Sequence, residues 1–196
     1  GTIADLALSE FRLDSGAVFE RGVAYLVELE EELFLEPHLR GRFNPRSSTG
    51  RCDIFTRVLC DRHPRFDETP AGYRGKLWIE IAPLSFPVRL ARGDRLAQLR
   101  LSSGNPALNQ AQMRALYQRT PLVHDGERPI PLEEARIGED GTLELCVGLA
   151  GRNPCGWRSA THTDLVEFAR EGAHAALDFW EPLRAQPQRG GPLYRL

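Results

Sequence analysis

From Phe11 to Leu101, apolar and polar residues alternate in short runs separated by turn signals at a spacing of about 8 to 12 residues. That rhythm predicts a mainly β domain built as a sandwich or barrel. The clearest predicted strands are Val23 to Leu29, Phe55 to Cys60, Leu77 to Ile81, Phe86 to Leu90 and Leu96 to Leu101. Between them, Asp14-Ser15-Gly16, Glu20-Arg21-Gly22, Thr69-Pro70-Ala71-Gly72 and Ala91-Arg92-Gly93-Asp94 supply glycines where a turn asks for positive φ.

Past Leu101 the pattern changes. Leu108, Ala111, Ala115 and Leu116 recur at helical spacing and predict a short helix within Pro106 to Gln118. Pro121 to Asp140, rich in Pro, Gly and charge, predicts a loop, and Leu143 to Leu149 a further strand. Thr163 to Trp180 fits either class, with Asp164 to Phe168 strand-like and Ala169 to Phe179 helix-like but broken by Gly172. The expected organisation is a β core over residues 1–104 carrying the chemistry. A continuation of the same domain over 105–183 adds a short helix, a loop and extra strand, and 184–196 form a linker or tail.

Composition narrows the function classes. With 41% hydrophobic residues in 196, the chain can fill a core. A formal net charge of −2 with 27% charged residues gives no polycationic surface, which argues against sequence-independent nucleic-acid binding. No apolar run approaches the roughly 20 residues of a membrane helix. Gly1 to Asp5 lacks the basic and apolar regions of a secretory signal, so a cytoplasmic chain is expected. Cys52, Cys60, Cys146 and Cys155 are irregularly spaced and read as reduced thiols. Neither a close cysteine pair nor ligand spacing among the histidines points to zinc, and His63 falls in a charged stretch that reads as an exposed hairpin loop.

Two local patterns carry candidate chemistry. In Arg46-Ser47-Ser48-Thr49-Gly50-Arg51, forked arginine donors flank small hydroxyls and a glycine, a set that suits an oxyanion such as phosphate. The plainer reading is a polar turn with two solvated arginines. Glu80, in Leu77-Trp78-Ile79-Glu80-Ile81, shares a strand face with Trp78. A carboxylate beside a large ring and partly out of water suits a general base, against the alternative of a solvent-facing edge glutamate.

These motifs, together with Pro70-Ala71-Gly72-Tyr73-Arg74-Gly75 and the stretch Pro87 to Leu99, occur in an order and spacing that resemble the dCTP deaminases of the trimeric dUTPase-like superfamily. Asp178-Phe179-Trp180-Glu181-Pro182-Leu183 looks like part of the first half of the long, two-domain proteobacterial form. The resemblance implies a distorted antiparallel β-barrel of the dUTPase-like or jelly-roll type with a few short helices. It further implies a homotrimer with sites between subunits, and zinc-independent hydrolysis of dCTP to dUTP and ammonia. It places Glu80 on the glutamate that activates water, Ser47 on the serine that holds this water, and Arg51 on the arginine supporting both. Arg46, Ser48, Thr49 and Gly50 fall in the phosphate loop, and Cys60 on a position acting through its backbone carbonyl. Tyr73, Trp78 and Ile79 fall on nucleotide-binding motifs. Arg158 stands near the place where Gly156 and Ala160 replace a phosphate-closing lysine and glutamine. Magnesium is implied only as a companion of the triphosphate, with no metal held by the protein.

A zinc deaminase needs His-x-Glu and Pro-Cys-x-x-Cys, and Asn153-Pro154-Cys155-Gly156-Trp157 lacks the second cysteine. Two alternatives stand beside the deaminase reading. A dUTP pyrophosphatase, or a bifunctional enzyme, is disfavoured because Pro70 occupies the place of that enzyme's water-positioning aspartate. A non-catalytic nucleotide-binding or trimer-forming module is the other, since the family's segment upstream of Phe11 and the long form's second domain after Leu183 have no counterpart in the sequence.

Overall fold

A computed structural model describes residue 3 and residues 10–105, 107–148, 152–161 and 164–184. In chain order these form β1 (Ala17–Phe19), β2 (Tyr25–Phe34), β3 (Leu39–Pro45), α1 (Ser47–Arg51), β4 (Ile54–Cys60), β5 (Arg74–Pro83), β6 (Val88–Leu90) and β7 (Ala97–Ser103). Next come α2 (Gln110–Arg119), β8 (His124–Asp125), β9 (Arg128–Pro129), β10 (Gly156–Ser159), β11 (Val166–Glu167), α3 (Ala176–Phe179) and β12 (Trp180–Leu183). The architecture is mainly β with a few short helices, as the periodicity predicts. Among the described residues the ladders form several short sheets, and no continuous ring of strands closes. None of the described helices is long and apolar enough to cross a membrane.

One compact unit comprises Gly1–Gly104 and Arg152–Leu196. Its principal sheet has the order β2-β5-β4 and is antiparallel throughout. Along β5, Leu77, Ile79 and Ile81 are buried, whereas Trp78 and Glu80 on the opposite face are only partly covered. The register puts Val27, Ile79 and Val58 in one row across the buried face. Each such aliphatic side chain stabilises the fold by about 1.5–3 kcal/mol when fully withdrawn from water. Phe19, Phe43, Phe86, Val88, Val166 and Phe179 complete the same core. The short strands join it through β1-β6-β11, in which β11 runs parallel to β6, and through the ribbons β3-β7 and β10-β12. β11 and α3 thus divide the ambiguous stretch 163–180, of which Thr163 lies outside the described residues.

The second unit, Asn105–Gly151, holds α2 and the hairpin β8-β9. A capping box sets the start of α2: Asn109 accepts from the Gln112 N–H, and the Gln112 side chain accepts from the Asn109 N–H. Buried Tyr117 donates to the Ile130 carbonyl at 2.9 Å, tying the helix to the segment after β9. The strand expected over Leu143 to Leu149 does not form. Only one bridge, Ile137 to Leu143, is made, and Leu145 and Val147 are largely exposed. With no partner ladder for its backbone groups, an apolar run does not become a strand. Leu149 and the expected tail beyond Arg184 lie outside the described residues.

Candidate active site

β3 ends at Pro45, and the chain turns directly into the five-residue α1. A single carbonyl anchors this turn. Leu96 O accepts the Arg46 N–H at 2.9 Å and the Thr49 hydroxyl at 2.7 Å. Thr49 is therefore fully buried and its hydroxyl is engaged within the fold, while Arg46, Ser47, Ser48, Gly50 and Arg51 remain on the surface. Arg46 makes only a long contact of 3.4 Å to the Arg95 carbonyl, and among the described residues neither Arg46 nor Arg51 has an ion-pair partner. The loop thus presents two uncompensated guanidinium groups and two serine hydroxyls to solvent, a donor set for an oxyanion.

α1 leads into β4, the edge of the principal sheet, and β4 pairs with β5 so that Arg57 stands opposite Glu80. The Glu80 side chain keeps 22% of its exposure, which removes the solvent-facing alternative. Its carboxylate is not isolated, however. Arg57 donates from Nε at 2.9 Å and from Nη2 at 2.5 Å, both to Oε2. The Arg57 guanidinium in turn lies 3.9 Å from the ring centre of Phe66 and 5.3 Å from that of Phe55. A groove of about 350 Å³ runs along this edge and is lined by Pro45, Gly50, Asp53, Ile54, Phe55, Thr56, Arg57, Asp67 and Leu84. Gly50 of the hydroxyl loop and the Arg57 that holds Glu80 thus border the same space.

The remaining candidates are spread around this sheet. Trp78 is half-buried on the Glu80 face, and its indole N–H is covered without an acceptor among the described residues. Ile79 points into the core, 1% exposed, in the central strand. Cys60 ends β4 with its thiol buried and 3.6 Å from the Glu68 carbonyl, and its own carbonyl accepts the His63 N–H at 3.3 Å. Burial, and then the charge of Asp61, push the Cys60 thiol up from an ordinary 9.0 to about 11, with a small opposing effect from the Tyr73 hydroxyl. Tyr73 is buried beside it, donates to the Lys76 carbonyl at 2.5 Å, and is itself shifted upward, chiefly by burial. Arg158 lies on β10, apart from these strands, with its guanidinium 2.7 Å from Glu181 on β12.

The stretch 61–68 is a loop as expected, but His63 is not exposed. Its side chain is 18% accessible with Nε2 covered. The loop is held by Asp67, which at φ +59 accepts the Val58 N–H on its side chain at 2.8 Å and donates its own N–H to the Val58 carbonyl. Arg57, Phe66 and Asp67 are the site residues that sequence reasoning missed. Arg57 lies on the partly exposed face of β4, and its partner on β5 depends on a register set across the long connection 61–73.

Residues 1–105 match the family model described as the 2'-deoxycytidine 5'-triphosphate deaminase (DCD) N-terminal domain, and residues 109–192 match that of the DCD C-terminal domain. A comparison with curated protein sequences gives no match. Among solved structures, the crystal structure of 2'-deoxycytidine 5'-triphosphate deaminase from Agrobacterium tumefaciens superposes with a TM-score of 0.75 at 39% sequence identity. The match covers 92% of this chain and 52% of that one, so the chain spans about half the length of that relative. On these matches the chain belongs to the 2'-deoxycytidine 5'-triphosphate deaminase family.

Proposed function

We propose that this chain catalyses hydrolytic deamination of dCTP to dUTP and ammonia. The observation that carries the reading is the shared groove. Exposed Arg46 and Arg51, without ion-pair partners among the described residues, lie with Ser47 and Ser48 in the turn whose Gly50 lines it, and Arg57, hydrogen-bonded to Glu80, lines it too. Triphosphate oxygens suit the first group, and a reacting water suits the second.

In the proposed reaction Glu80 removes a proton from water while the water oxygen adds to cytosine C4, pushing the C4–N3 π electrons onto N3, which takes up that proton. The same carboxylate then carries the proton of the new C4 hydroxyl to the exocyclic amine, the C4–N bond breaks, and ammonia leaves with uracil formed. Ser47 holds the water and Arg51 supports the water and the carboxylate. Arg46 and Ser48 meet the phosphates, and Trp78 borders the base. Thr49 acts as the anchor of the loop through Leu96, and Ile79 by packing beneath β5. Magnesium enters as a companion of the triphosphate, which brings its own oxygen ligands. Among the described residues no three of His, Cys, Asp and Glu come together as a ligand set. The reading includes a homotrimer, as the family resemblance implies.

A pyrophosphatase acting on dUTP needs a carboxylate at the turn before Tyr73, where Pro70 stands. Asp67, three residues upstream, is the nearest aspartate, and its carboxylate is committed to the Val58 N–H. This supports deamination over phosphate cleavage. The test is incubation with dCTP and magnesium while ammonia and dUTP are followed. Pyrophosphate release from dUTP, or nucleotide binding without turnover, would replace the reading by one of its two alternatives.

A further inference from the structure

We infer that Arg57 is a positioning residue for Glu80, held for that task between Phe66 and Phe55. The inference rests on the deaminase reading and names a residue that the motif resemblance does not.

Three observations carry it. First, both Arg57 donors converge on one carboxylate oxygen, Oε2, at 2.9 and 2.5 Å, and among the described residues no donor is placed on Oε1. An ion pair serving stability alone gains most from the bidentate arrangement, one N–H to each oxygen. Here the carboxylate is instead fixed by one oxygen and keeps the other free to take a proton. Second, the guanidinium is itself fixed. Phe66 covers one region of it at 3.9 Å and Phe55 approaches at 5.3 Å, both within the range of cation–π attraction, although both rings are nearly half exposed. Each ring thus meets the guanidinium from a different segment, Phe55 from β4 itself and Phe66 from the loop that follows it. Third, the Phe66 loop is anchored to the same strand. Asp67 binds both backbone groups of Val58, next to Arg57, and its carbonyl accepts the Phe43 N–H at 2.8 Å. The chain of contacts runs from Asp67 through Phe66 and Arg57 to Oε2 of Glu80, and it leaves Oε1 of the same carboxylate for the proposed proton transfer.

A base held to within a fraction of an ångström matters because a misplacement of about 1 Å costs roughly 10²-fold in rate. Arg57→Gln, assayed with dCTP and magnesium in the full chain, is expected to lower kcat by about 10²-fold while KM changes by less than about threefold. Arg57→Lys keeps the charge without the two-donor fork and is expected to recover only part of kcat. Combined with Glu80→Gln, Arg57→Gln is expected to add no further loss, because a positioning residue acts only through the group it holds. Phe66→Leu, which leaves both charges in place, is expected to lower kcat by about tenfold at unchanged KM, and it serves if Arg57→Gln does not fold. An active parent whose kcat is unaltered in Arg57→Gln or, failing that, in Phe66→Leu overturns the inference alone, as does a rise confined to KM or a full additional loss in the double variant. An inactive parent overturns the deaminase reading and this inference with it.

Discussion

The hydroxyl of Thr49 and the carbonyl of Leu96 meet at 2.7 Å with Thr49 completely buried, and the same carbonyl also accepts the Arg46 N–H. One acceptor just ahead of β7 therefore ties the turn that displays Arg46, Ser47, Ser48 and Arg51 at its start and at its middle. The exposed donors are oriented by a residue that never reaches solvent.

Thr49→Val removes that hydroxyl with little change of shape. The expected cost is about 1 kcal/mol, because Leu96 O keeps the Arg46 N–H and only one net hydrogen bond is lost. Urea unfolding measures this term. The KM for dCTP is expected to rise in the same variant, since the loop has lost one of its two ties.

Glu80→Gln and Arg51→Ala separate the proposed base from the proposed phosphate loop. In Glu80→Gln the amide oxygen still accepts the Arg57 donors, so fold and nucleotide binding are expected to persist while turnover falls about 10²–10⁴-fold. Arg51→Ala is expected to weaken binding and rate together, as Arg51 has no ion-pair partner in the described fold whose loss would disturb stability. Isothermal titration with dCTP alongside ammonia release distinguishes the two patterns. Near-normal turnover in Glu80→Gln would sink the mechanism.

Cys60 makes the fold sensitive to alkali. Burial raises its thiol from 9.0 to about 11, so between these values the folded chain keeps a proton that the unfolded chain has released. The unfolded state then binds fewer protons, and stability falls as pH rises. This contribution is complete below pH 9.0 and lost on passing about 11. Unfolding curves collected across this range are expected to show a decline that is smaller in Cys60→Ala. Near neutral pH the buried thiol is expected to resist iodoacetamide while exposed Cys146 is alkylated.

Gly72 adopts φ +68, and a Cβ there would lie 3.1 Å from the Pro37 Cα. The neighbour is backbone and cannot rotate away. Gly72→Ala is thus expected to destabilise by about 1–2 kcal/mol from the left-handed conformation alone, with crowding adding to it. The melting temperature measures this. The turn delivers Tyr73, whose carbonyl accepts the Leu35 N–H, so part of the β2-β5 end should loosen with it.

Much of the protein was legible from local pattern. Alternation marked the strands that became β2, β4, β5, β6 and β7. It also put Trp78 and Glu80 on one face and Leu77, Ile79 and Ile81 on the other, because successive side chains of any strand must diverge. Glycines foretold turns, and the hydroxyl and arginine motif foretold where donors for an anion lie along the chain. Tertiary structure alone decided which strand faces which, and at what register. It set Arg57 opposite Glu80 across a connection whose length leaves the pairing open. It buried Thr49 within an otherwise exposed loop, drew Phe66 over Arg57, and denied Leu143 to Val147 a neighbouring ladder. Periodicity is a property of one strand, whereas register, partner and burial belong to pairs of segments that meet only when the chain closes on its core.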